Sequence, residues 1–154
     1  MVRISIKILF YIMCLLLLQG CPKYEEFVIF NNTGNDLSVL LKDSVVNLPR
    51  DEFLIIDKDI LGRMKWEEYR GVSFPTLQLF KRGVTMTYIF GRRSSGIPEE
   101  YVKDVSGSFF SVSKRQFYFQ IEKDNNMYLR FPSESIVDIQ KIKQPAGYPI
   151  SPGS

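Results

Sequence analysis

The sequence predicts a mainly β fold: a small antiparallel β-sandwich or barrel built from hairpins, with one or two short helices. Three observations carry this expectation. Short apolar runs rich in β-branched and aromatic residues recur at roughly 8–12-residue spacing. Two pairs of runs alternate apolar and polar residues about tight turns, at Arg82-Gly83 and at Lys123–Asn126. Between the runs lie clusters of Asn, Asp, Gly and Pro, which favour turns.

The first stretch of the chain is of a different kind. Arg3 and Lys7 flank the start of an unbroken apolar run, Ile8–Leu18, closed by Leu18-Gln19-Gly20-Cys21. A helix crossing a bilayer needs about 20 apolar residues. The run is about half that and matches the roughly 7–15 residues of a signal-peptide core. Its end resembles the lipobox of bacterial lipoproteins, with Leu18 and Gly20 fitting well and Gln19 a less common but tolerated residue. Cys14 is a poorer match, because Met13 is not small and the apolar run would be cut short.

The resemblance covers the first 21 residues and says nothing about the fold. It implies cleavage before Cys21, acylation of Cys21 (a palmitate-type modification) and anchoring in the cell envelope. One acyl chain binds a membrane marginally, whereas two or more, at about 0.8 kcal/mol per buried CH₂, anchor stably. Pro22 stands where an aspartate favours inner-membrane retention in two-membrane bacteria, so outer-membrane delivery is expected in such a source.

The expected organisation is a cleaved signal over 1–20, a lipidated N-terminus and spacer over 21–26, a β-rich domain over 27–143 and a Pro/Gly-rich tail over 144–154. Without the signal, 18 basic residues face 17 acidic ones, and the formal charge falls from +3 to +1. No nucleic-acid footprint survives. The chain has no histidine, which removes Ser-His-Asp, Cys-His and His-containing zinc sites. Cys21 is the sole cysteine after the signal, so no intrachain disulfide is expected, and a lipid cap removes it as a nucleophile.

In order, Phe27–Phe30 reads as a strand apolar on both faces, Asn31–Asp36 as a turn and Leu37–Leu41 as a second strand. Asn31-Asn32-Thr33 has the form of a glycosylation acceptor, but in a bacterial chain it is a turn signal. Ser44–Leu48 and Phe53–Ile56 suggest a hairpin about Pro49–Glu52. From Asp57 to Gly71 the strand rhythm breaks. Asp59 is a candidate cap for a short helix carrying Ile60, Leu61 and Met64, with Gly71 as its stop. Trp66 and Tyr69 fit core or rim packing better than a ligand platform.

A two-residue turn at Arg82-Gly83 pairs Lys81 with Val84, Leu79 with Met86 and Leu77 with Tyr88. This register places Pro75, Leu77, Leu79, Met86, Tyr88 and Phe90 on one face; a three-residue loop would scramble both. Pro98-Glu99-Glu100 suits a helix first turn, burying Tyr101, Val102 and Val105. Val105–Ser113, around Phe109-Phe110, is strand or loop. Across Gln116–Phe131, only an odd-length loop puts Phe117, Phe119, Ile121, Met127, Leu129 and Phe131 on one face, which suits a three-residue turn with a left-handed asparagine. Ser135–Ile142 is open between strand and helix. Gln144–Ser154 is either a disordered tail or a strap pinned by Tyr148 and Ile150.

Chemical motifs are weak. Glu67-Glu68 and Glu99-Glu100 do not by themselves provide the facing carboxylates of a glycosidase. Asp57-Lys58-Asp59 lacks the glycine and distant glutamate of a calcium loop. Arg92-Arg93-Ser94-Ser95, between Gly91 and Gly96, lacks a phosphate-loop fingerprint. The Ser-Gly and Tyr spacing of lysozyme inhibitors is not met by Ser95-Gly96 and Tyr101. Nothing calls for a cofactor or metal. The sequence therefore points to a non-catalytic protein-interaction or structural lipoprotein of the envelope, using an edge strand or aromatic loop. The alternatives are an inhibitor or immunity-type lipoprotein and, less fitting, a carboxylate-based hydrolase.

Overall fold

A computed structural model describes residues 24–69, 72–89, 97–105, 114–132 and 138–153, with backbone alone at 58, 66–69 and 72–74. Cys21 and its preceding motif, Phe90, the Gly91–Gly96 loop and Phe109-Phe110 lie outside these residues, as do the side chains of Trp66, Glu67, Glu68 and Tyr69.

Two five-stranded sheets pack face to face as a small β-sandwich. The first contains β1 (Tyr24–Asn31), β4 (Phe53–Ile56), β8 (Val102–Val105), β9 (Lys114–Ile121) and β10 (Met127–Leu129). The second contains β2 (Leu37–Leu40), β3 (Val45–Leu48), β5 (Lys65–Tyr69), β6 (Val72–Lys81) and β7 (Val84–Ile89). Inward-facing side chains of both sheets form the core: Phe27, Ile29, Ile56, Phe117, Phe119 and Leu129 from the first, and Leu37, Val39, Leu77, Leu79, Met86 and Tyr88 from the second. This is the alternation a two-layer β fold requires.

The central pairing of the first sheet is parallel, which hairpins alone do not produce. β1 runs alongside β9 from Tyr24↔Lys114 to Asn31↔Ile121, and β4 flanks β1 antiparallel on its other side. The early strands therefore do not form the expected hairpins. β1 and β2 lie in different sheets, as do β3 and β4, so Asn31–Asp36 and Pro49–Glu52 are crossovers between layers. Asn31 holds both crossovers. Its buried amide Nδ2 donates to the carbonyls of Asn35, Leu48 and Pro49, and its Oδ1 accepts from the Thr33 amide and hydroxyl. Local turn residues here shape a layer change rather than a hairpin, and sequence spacing does not separate the two.

The two later hairpins match their expected registers. Lys81↔Val84, Leu79↔Met86 and Leu77↔Tyr88 pair across Arg82-Gly83. Both turn residues have positive φ, 49° and 84°, as a type I′ turn demands. Ile121 pairs with Met127 and Phe119 with Leu129, across a three-residue loop in which Asn125 has φ 62°.

Three expectations are corrected. Helix α1 spans Lys58–Arg63 and is capped by Asp57, not Asp59: the Asp57 carboxylate accepts from the amides of Asp59 and Ile60. It ends at Met64, and β5 follows at once, so 65–69 continues the second sheet instead of the helix. The Pro98 turn is a single 3₁₀ turn, Glu99–Tyr101, which buries Tyr101, while Val102 and Val105 belong to β8. Finally, β1 begins at Tyr24, so the polar spacer is shorter than the expected 21–26.

The segment after Gln144 is a strap. Met127 and Ile150 exchange two main-chain hydrogen bonds, and the Gly153 amide donates to the Thr87 carbonyl. Gln144 bonds both the amide and the carbonyl of Leu129. Tyr148 and Ile150 pack on the core. The strap thus runs from β10 in one sheet to β7 in the other. In the 135–142 stretch, Ile139–Lys141 forms a 3₁₀ turn that buries Ile139, and 135–137 lie outside the described residues. No helix among the described residues is long and apolar enough to cross a membrane.

Candidate functional site

β1 is buried on both faces, although only its inner face meets the second sheet. The inner residues Phe27 and Ile29 meet the second sheet, while Glu26, Val28 and Phe30 face outward and are still buried. Registers place beside them Gln116, Tyr118 and Gln120 of β9, and Ile55 and Phe53 of β4.

One end of this outer face is closed by Arg130. Only 1% of Arg130 is exposed, and its guanidinium carbon lies 5.0 Å from the Phe30 ring centroid and 5.1 Å from that of Phe53. A planar, weakly hydrated cation suits a site between aromatic faces. Burial pulls the guanidinium below its ordinary pKa, and Tyr118 acts in the opposite sense. Below it, Glu122 accepts from the side-chain amides of Asn32 and Gln120.

The other end carries a polar chain. The Tyr118 hydroxyl donates to Gln116 Oε1 at 2.9 Å, Gln116 Nε2 donates to Glu26 Oε2 at 2.9 Å, and Lys114 Nζ donates to Glu26 Oε1 at 2.7 Å. Both oxygens of a carboxylate that is 3% exposed are thereby satisfied. The Glu26 contact raises the Lys114 ammonium pKa, and burial is the main reason the Tyr118 phenol is raised.

Between the two ends lies an open depression of about 260 Å³. It is lined by Val28 of β1, Phe53 and Ile55 of β4, Gln116 and Tyr118 of β9, Lys103 of β8 and Pro132. Phe53 and Ile55 are 42% and 49% exposed, large values for such side chains. They lie on β4, which among the described residues pairs on one side alone, with β1. Antiparallel pairing alternates the direction of main-chain groups, so every second residue of such an edge strand presents its N–H and C=O outward. The site is an apolar hollow beside a sheet edge, and its polar lining among the described residues is a tyrosine, a glutamine and a lysine.

The residues singled out in the sequence do not converge on this hollow. Glu99 and Glu100 are exposed on the 3₁₀ turn, where Glu99 pairs with Arg115. Asp57 is spent on the α1 cap. No group of three or more acidic or cysteine side chains is arranged to hold a metal ion among the described residues. Sequence reasoning placed Glu26 in the polar spacer ahead of the first strand and Arg130 on the polar face of the last hairpin. Phe27–Phe30 is apolar on both faces, which marks β1 as buried on both, but it does not reveal which neighbours cover the outward face.

No protein-family model matches the chain, and no curated protein or solved structure matches it either.

Proposed function

We propose that the protein is a lipid-anchored envelope protein, held through Cys21, that binds a protein partner without catalysing a reaction on it. The observation that carries the binding role is the β4 edge, where exposed Phe53 and Ile55 border the apolar hollow. An extended segment of a partner adds to such an edge through main-chain hydrogen bonds, and side-chain pockets beside it supply selectivity. The anchoring role is supported by the apolar run and Leu18-Gln19-Gly20-Cys21. An outer-membrane location follows from Pro22 where the source has two membranes.

Two measurements test this reading. Metabolic labelling with a fatty-acid analogue is expected to mark the wild-type chain and not Cys21→Ser; label on neither sinks the anchor. A photo-crosslinker placed at Ile55 in the full-length protein is expected to capture an envelope protein that the same probe at Val84 does not. Val84 is exposed and apolar like Ile55 but belongs to the other sheet. Equal capture from both positions, or none from either, removes the β4 face as the binding surface. If the captured species is a secreted hydrolase or a toxin, the role is that of an inhibitor.

A further inference from the structure

We infer that the end of the sandwich where β1 begins rests against the lipid headgroups, so the domain stands upright on the bilayer with the Arg82-Gly83 and Asn125 turns farthest from it. This deepens the anchor reading above and rests on it. The argument is one of chain length. Three residue steps separate Cys21 from Tyr24, the first residue of β1. Fully extended, they span at most about 10–11 Å. Tyr24 itself is locked into the sheet by its pairing with Lys114 and cannot lengthen the tether without breaking β1 from β9.

The elements at that end follow from the registers. Glu25, Arg115 and Asp104 form one row across β1, β9 and β8, directly above Tyr24, Lys114 and Val105. Asp57, which opens α1, follows Ile56, the partner of Phe27, and so lies toward the same end. The opposite end is reached seven residues along β1, about 23 Å away at 3.3 Å per residue. There Lys81 Nζ donates to Asn125 Oδ1, fixing the turns of both sheets at one height. Val28, Tyr118 and Ile55 lie four residues above Tyr24, about 13 Å along the strands, so the hollow sits on the side wall at mid-height.

Charge does not set this orientation. The described charges near Tyr24 have both signs, with Lys103, Lys114 and Arg115 against Glu25, Asp57 and Asp104, and Lys114 is already neutralised by Glu26. The short covalent tether is therefore the orienting element, and anionic lipid is expected to change little.

The test uses the full lipidated chain in phosphatidylcholine vesicles, with and without phosphatidylglycerol. An environment-sensitive fluorophore is attached at one introduced cysteine: Glu25→Cys or Asp104→Cys near the tether, Val84→Cys or Lys123→Cys at the far end. All four positions are exposed, and the paired variants guard against one failing to fold. A nitroxide on the lipid headgroup is expected to quench the near labels several-fold more than the far ones, in both lipid mixtures. A long Gly/Ser insertion after Lys23 is expected to erase the difference. Equal or reversed quenching in protein that floats with the vesicles overturns the orientation while leaving the anchor intact. Protein that does not float with the vesicles overturns the anchor and the orientation together.

Discussion

The Tyr88 hydroxyl donates a 2.7 Å hydrogen bond to the main-chain carbonyl of Asn125, fastening a strand of the second sheet to the closing loop of the first. Burial pushes the Tyr88 phenol far above its ordinary pKa, and the Asp124 carboxylate adds to this. The folded state therefore keeps this proton at pH values where the unfolded chain loses it, near an ordinary value of about 10. The contribution is fully present below that value and is lost as pH rises beyond it. Tyr88→Phe is expected to cost about 1 kcal/mol at neutral pH and to flatten part of the alkaline loss. Urea midpoints followed from neutral to alkaline pH check both; a variant with the wild-type alkaline slope contradicts the assignment.

Neighbouring positions on β7 give a test of register. Tyr88 is fully buried, whereas Thr87 is only half-buried and its carbonyl accepts from Gly153 of the strap. Tyr88→Asp is expected to cost more than about 3 kcal/mol, since it leaves a cavity and buries an unpaired carboxylate. Thr87→Asp is expected to stay within about 0.5 kcal/mol. Similar melting temperatures for the two variants would contradict the pairing of Leu77 with Tyr88.

Asn31→Asp changes one atom in the buried junction of the two crossovers. It replaces a donor to three carbonyls by an acceptor, opposing oxygen to oxygen at Asn35, Leu48 and Pro49. The expected loss is about 3 kcal/mol or more, read from denaturation at neutral pH, and it is expected to shrink on acidification as the new carboxyl is protonated. A near-neutral effect would show that these bonds do not hold the layers in register.

For Arg130, the expected outcome separates shape from charge. Arg130→Lys keeps the charge but not the plane that lies on Phe30 and Phe53. It is expected to lose about 2 kcal/mol, recovering little of what Arg130→Ala loses. Full recovery by lysine in thermal unfolding would show that charge alone is needed.

The strands themselves were legible because alternation marks them. The Arg82-Gly83 hairpin was legible down to single pairs, and the last hairpin down to its three-residue loop within Lys123–Asn126, since each turn's chemistry and the faces it creates agree. The parallel pairing of β1 with β9 was not, because no local pattern encodes a partner in a distant segment. The same blindness turned the Asn31–Asp36 and Pro49–Glu52 crossovers into hairpins. The hollow beside β4 was legible as chemistry only: Phe53 and Ile55 were visible as apolar, but their exposure depends on β4 being an edge. Burial of Glu26 and Arg130 likewise depends on neighbours far along the chain.

The parallel pair has a consequence for biogenesis. Gln116, bonded to Glu26, follows it by 90 positions, so the central strand of the first sheet waits for a partner near the end of synthesis. The last residues then tie β10 to β7. Such distant contacts place the domain among slow, millisecond-to-second folders. A polypeptide that cannot close its first sheet until nearly all of it has emerged completes its fold only after synthesis is almost finished.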